Sequence, residues 1–326
     1  MNTPSALDTD NLQLRFDLLD IERQKALKQV QAAASFILPV AIGLFLLVLL
    51  VPALRFPQLF FVIPIVALAA YTYVHATATK EYCGSFKSLI LPEVVKASAP
   101  PGSQDITYRG LQGIPEHEFR LSRLYREPDR YKSEDLITGM LGETAIRFSE
   151  VHAEYRQRNS KGKNNYYDIF HGVYFIADFN KQFLSSTVIM PDNAEPLLGD
   201  FGRNLQKLGT QLSGNSRELV HLEDPEFERL FAVYSNDQVE ARYLLTPSLM
   251  QRLIEFRNRS GSSFRISFLA GNMILAMPLG VGKGWLEPPP LGTPLCFKTL
   301  EPSVEQLKLI FGIVEDLNLN TRIWSK

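Results

Sequence analysis

The chain has 326 residues, 45% of them hydrophobic and 21% charged, with a formal net charge of −1. That balance argues against a general nucleic-acid binder, whose phosphate contacts need a clear Lys/Arg excess. The two cysteines, Cys83 and Cys296, lie far apart in no CxxC or CxxH pair, so they make neither a four-ligand zinc site nor a disulfide framework, as suits a reducing compartment.

The first predicted element is "NLQLRFDLLDIERQKALKQVQAAA", with Leu14, Leu18 and Ile21 on one helical face and Leu12, Phe16 and Leu19 beside it. Asp10 or Asn11 is the candidate cap. Acidic residues precede basic ones, the order that the helix dipole favours. This reads as a cytoplasmic amphipathic helix over residues 1–35 that runs into the first apolar segment. It packs on the soluble domain, a second copy or, least favoured by its mixed charge, the membrane surface.

Two uncharged apolar runs come next, "FILPVAIGLFLLVLLVPAL" (36–54) and "LFFVIPIVALAAYTYVHATA" within 58–78. Each has about 20 residues, enough to cross a ~30 Å hydrocarbon core as a helix, and neither shows the polar stripe of a soluble core helix. The polar residues ahead of the first run argue against a signal peptide. The pair predicts a transmembrane hairpin over 36–79. Arg23, Lys25 and Lys28 precede it and Lys80 and Lys87 come after it, whereas its turn carries only Arg55, so both termini are expected in the cytoplasm. His75 lies near the cytoplasmic end of its span, within reach of the headgroups, and Pro39, Pro52 and Pro64 are tolerated in spanning helices. The hairpin reads as an anchor rather than a channel.

Residues 80–101 are expected to continue the second span as a membrane-proximal helix and end in the break "APPGSQ"; residues 102–326 form the predicted cytoplasmic domain. Helical signals return in "PEHEFRLSRLYREPDRY". In "ETAIRFSEVHAEYRQ", Ile146 and Phe148 share one strand face while Val151, Ala153 and Tyr155 share the other, which predicts a bulge near Ser149 and Glu150. "RNSKGKNN" is a loop, "YYDIFHGVYFIADF" a central strand apolar on both faces, and "SSTVIMPD" another strand.

Asp224-Pro225 opens a predicted helix with the stripe Phe227, Leu230, Phe231 and Tyr234. "SND" caps a second helix with Val239 and Tyr243 on one face. Thr246-Pro247 starts a third, carrying Leu249, Met250, Leu253 and Ile254, with Arg252, Arg257 and Arg259 in its later turns and Gly261 as its stop. "SSFRISFLAGNMILAMPL" reads as a hairpin turning at Gly271-Asn272. A proline-rich loop precedes a last amphipathic helix presenting Leu307, Ile310, Phe311 and Val314. The expected fold class is α+β: a two-helix transmembrane hairpin, then a domain with a mainly antiparallel sheet and packed helices.

The segments "FHGVYFIADFNKQF", "HLEDPEFERLF", "VYSNDQVEARYLLTPSLMQRL" and "SFLAGNMILAMP" together resemble the family known as domain of unknown function 3137, over roughly Glu143 to Leu286. The resemblance implies a bacterial-type membrane protein of the inner (plasma) membrane with a cytoplasmic domain, and it carries over no catalytic residues.

Candidate chemistry is thin. "LGVGKGW" (279–285) fails the phosphate-loop pattern, with Met277 at the first Gly position and Gly284 at the Ser/Thr. Glu150, His152 and Glu154 recur at i, i+2 and i+4; they could ligate a metal with His171 or His221, but alternation favours a solvated strand face. No GxSxG elbow is present, and Asp178 and Lys181 read as turn residues. No catalytic, cofactor or metal residue is assigned, and a non-enzyme is favoured. Two readings remain: a membrane-anchored cytoplasmic interaction module that binds a protein partner or itself, and a membrane-proximal domain for a lipid or small ligand.

Overall fold

The computed structural model describes residues 9–50, 58–159, 162–179, 183–192, 217–279 and 284–320. Expectations for Pro52, Leu54, Arg55, Lys161, Lys181 and the centre of the rejected phosphate loop (280–283) lie outside the described residues. The described residues form eight helices and nine strands, an α+β fold with one antiparallel sheet, as the sequence predicts. The chain divides into two units, Met1–Ala97 with Leu286–Pro302, and Ser98–Trp285 with Ser303–Lys326.

In the first unit, α1 (Thr9–Leu50) is one continuous helix that already includes the expected caps Asp10 and Asn11. Its 42 residues span about 63 Å at the α-helical rise, roughly twice a hydrocarbon core. The helix α2 (Leu59–Leu89) runs past its apolar stretch, and α3 (Leu91–Ser98) comes after Ile90. Both α1 and α2 are long and apolar enough to cross a membrane.

Of the two neighbouring apolar rows on α1, the protein itself buries the one that contains Phe16 and Leu19. Phe16, Leu19, Arg23 and Ala26 are buried, while Leu14, Leu18 and Ile21 are 59%, 45% and 60% exposed. Two apolar stripes lie side by side on this helix, and a charged residue disguised the buried one. Arg23 is accommodated because its guanidinium donates to Asp20 and to the Leu291 carbonyl. Phe16 meets Phe297 edge-on with ring centroids 4.7 Å apart. Arg15 pairs with Glu93, and Lys87 with Glu287.

The second unit holds the sheet. Its strands are β1 (Ser103–Arg109), β2 (Arg130–Leu141), β3 (Thr144–Arg158), β4 (Asn164–Asp178), β5 (Thr187–Pro191), β6 (Glu218–Val220), β7 (Phe231–Ser235), β8 (Arg265–Leu269) and β9 (Asn272–Pro278). The spatial order is β1-β2-β3-β4-β9-β8-β5-β7-β6, with every pair antiparallel. The strand β4 is interior, and Val173 to Ala177 are at most 3% exposed, as their unbroken apolar run requires. Gly172 permits the close approach of β9: a Cβ there would collide with the Met277 carbonyl.

Helix caps act where the sequence places them. After the short α4 (Glu116–Ser122), Asp224 accepts from the N–H groups of Glu226 and Phe227 at the start of α5 (Pro225–Leu230). Asp237 caps α6 (Gln238–Leu244), and Thr246 caps α7 (Pro247–Ser260), which Gly261 ends at φ 61°. The predicted α7 stripe is buried, and so are Leu307, Ile310, Phe311 and Val314 of α8 (Phe297–Asp316).

Three local expectations are corrected. The α5 stripe stops at Leu230, because Phe231–Ser235, rich in aromatic and β-branched side chains, pairs with β5 as strand β7. On α6, Val239 and Tyr243 are 77% and 54% exposed, and Ala241 and Leu244 face inward instead. The β8–β9 hairpin turns at Ala270-Gly271, both at positive φ, one residue before the expected Gly271-Asn272. Two consecutive positive φ values suit a two-residue hairpin turn.

Candidate functional site

The expected bulge in β3 is absent: pairing to β4 runs unbroken from Ile146↔Ala177 to Ala153↔Phe170. The irregularity lies across from it in β2, between Glu134 and Ile137, where Asp135 has φ 61°. The change of buried face along β3 has another cause, since its two halves are covered on opposite sides. Phe148 packs with Trp285 and Phe311, centroids 5.7 and 5.4 Å away. On the reverse face, Val151 and Ala153 join a core with Ile114, Phe119, Leu124, Phe170 and Tyr174. Burial pushes the nearby Tyr125 hydroxyl up to about 12 and raises those of Tyr131 and Tyr174, so these phenols stay neutral.

Glu150, His152 and Glu154 therefore continue the Phe148 face of β3 outward from that aromatic cluster. They are not a uniformly solvated face. Glu150 is only 6% exposed; its Oε1 lies 2.8 Å from His171 Nε2, and its Oε2 accepts from the Trp285 backbone N–H at 2.8 Å. Those partners explain how a carboxylate is tolerated there, since burial without hydrogen bonds would be costly.

Beyond it, His152 and His171 are direct cross-strand partners with ring centroids 4.7 Å apart. His152 Nε2 lies 2.7 Å from Asp168 Oδ1. A β3–β4 register shift between Ala153 and Glu154 then sets Glu154 opposite Asp168. Strict alternation would send Asp168 to the sheet face opposite His171; the extra residue, Ile169, restores it to the His171 face. One ligand atom each from His152, Glu154 and Asp168 all fall within 4.8 Å of one another.

The sequence reading thus named His152, Glu154 and His171 but missed Asp168. No period-2 signal reveals a residue that a bulge has moved to the other face. His221, the other proposed completion, is 79% exposed in its side chain and lies near Glu228 instead. Further facing charges lie on β2. Arg130 Nη1 is 3.8 Å from Glu154 and its guanidinium carbon 3.3 Å from the Tyr166 ring centroid, and Lys132 pairs with Glu134 at 2.8 Å. Asp178 closes β4 opposite Asn272.

Fold and site define an α+β protein with two long apolar helices and a histidine–carboxylate row on one sheet face. Residues 168–319 match the model of the family described as protein of unknown function (DUF3137). The match takes in Asp168 and His171 but begins beyond Glu150, His152 and Glu154. No curated protein and no solved structure matches the chain.

Proposed function

We propose that the chain is a membrane-anchored interaction module of the bacterial inner membrane. The apolar parts of α1 and α2 cross the bilayer as a hairpin over 36–79, and 1–35, 80–101 and 102–326 stand on the cytoplasmic side. The observation that carries this reading is exposure. Only 6% and 0% of the apolar windows of the two helices are buried within the protein. Water would leave that surface unsatisfied, whereas lipid covers it. The flanking Arg23, Lys25, Lys28, Lys80 and Lys87, against Arg55 in the turn, orient both ends toward the cytoplasm.

The interaction part of the reading rests on Leu14, Leu18 and Ile21, an exposed apolar stripe on the portion of α1 that extends beyond any single crossing. A protein partner or a second copy would remove that stripe from water. The small-ligand reading draws less support, because the aromatic strand expected to line its pocket is packed solid, with Tyr174 and Phe175 fully buried.

The test co-expresses two differently tagged full-length copies and purifies one in mild detergent. Recovery of the second copy, or of a stoichiometric protein partner, that is abolished by Leu18→Glu supports the reading. A partnerless monomer for the wild-type chain removes it.

A further inference from the structure

We infer that His152, Glu154 and Asp168 form a binding site for a first-row divalent cation such as Zn2+. Their three ligand atoms already lie within 4.8 Å of one another. Ligands around tetrahedral Zn2+ at normal bond lengths lie about 3.4 Å apart, so small side-chain rotations close the site. The backbone holds the three in place: all come from two long strands paired with each other, and the bulge opposite Glu154 presents Asp168 on the shared face. Sites built on strands are held more firmly than sites on loops.

Charge points the same way. Two carboxylates set directly opposite each other on neighbouring strands repel unless a cation lies close by. In the described structure, His152 serves Asp168 and Arg130 reaches Glu154 only at 3.8 Å. A divalent ion would satisfy both carboxylates and the imidazole nitrogen together. One nitrogen and two oxygens suit Zn2+ and its first-row neighbours better than Ca2+, which wants six or more oxygens, or Cu(I), which wants sulfur.

The row behind the site fits a supporting role. His171 lies beside His152 with its ring tilted by 35° and is fixed in turn by buried Glu150, itself tied to the Trp285 backbone. Asp168 is 65% exposed in its side chain, so the ion has an open approach and coordination positions left for an exogenous ligand.

The test uses the full-length chain without a polyhistidine tag, purified in detergent, stripped with chelator and titrated with Zn2+, then with Co2+ for its absorption bands. One equivalent of Zn2+ is expected. Affinity should fall at least ~tenfold in His152→Ala and in Asp168→Asn, stay unchanged in His221→Ala, and rise in Arg130→Ala as a competing cation is removed. Asp168→Asn preserves shape, so its loss of binding with an unchanged circular dichroism spectrum separates ligation from misfolding. Absence of stoichiometric Zn2+ in the wild-type chain, or equal binding in both ligand variants, overturns the inference.

Discussion

The apolar half of α1 and the inner half of β4 have similar composition and opposite surroundings. In β4, Val173, Tyr174, Phe175, Ile176 and Ala177 are 0–3% exposed. In α1, Phe36, Leu38, Leu46 and Leu50 are 72%, 63%, 49% and 77% exposed. The difference lies in what covers the side chains. Neighbouring strands and helices cover β4, whereas lipid is the cover proposed for these side chains of α1. A hydrophobic run therefore specifies burial, but its period and length decide whether protein or membrane supplies the cover.

Substitutions separate the two cases. Phe175→Ala, which opens a cavity in the sheet core, should cost about 3–5 kcal/mol, read as a lowered unfolding midpoint of the full-length protein. Next in size, Leu46→Arg should leave that midpoint almost unmoved but cost about 2.5–3.5 kcal/mol of membrane insertion, seen as loss of carbonate-resistant protein from membranes. An unchanged membrane fraction would break the comparison. Glu150→Ala, which orphans His171 and the Trp285 N–H, should cost about 1–3 kcal/mol, again in the unfolding midpoint. Removing the α5 cap with Asp224→Ala should cost about 1 kcal/mol. The smallest effect is expected at Val239, where replacement by Ser should change stability by less than about 0.5 kcal/mol; a larger loss would restore it to the buried face of α6.

Much of this architecture is legible from the sequence because its signals are local. The Asp224-Pro225 and Thr246-Pro247 pairs mark helix starts, and the stripe Leu249, Met250, Leu253 and Ile254 has one consistent period. The two apolar helices announce themselves by length alone. Signals fail where backbone irregularity or tertiary pairing intervenes. The strand β2 was missed because its bulge at Asp135 and Leu136 interrupts alternation in "RYKSEDLITGML". Phe231 and Tyr234 also fit a helical stripe, and only pairing with β5 makes them strand. The site was half visible: His152 and Glu154 follow strand period, while Asp168 reaches the same face through a bulge that only the β3–β4 register reveals.

The proposed anchoring by the α1–α2 hairpin, with both flanks in the cytoplasm, is most directly tested through Cys296, which is exposed. With Cys83→Ser as background, a membrane-impermeant maleimide should leave Cys296 unlabelled in intact spheroplasts and label it once the membrane is broken. Labelling of Cys296 in intact spheroplasts would contradict the account.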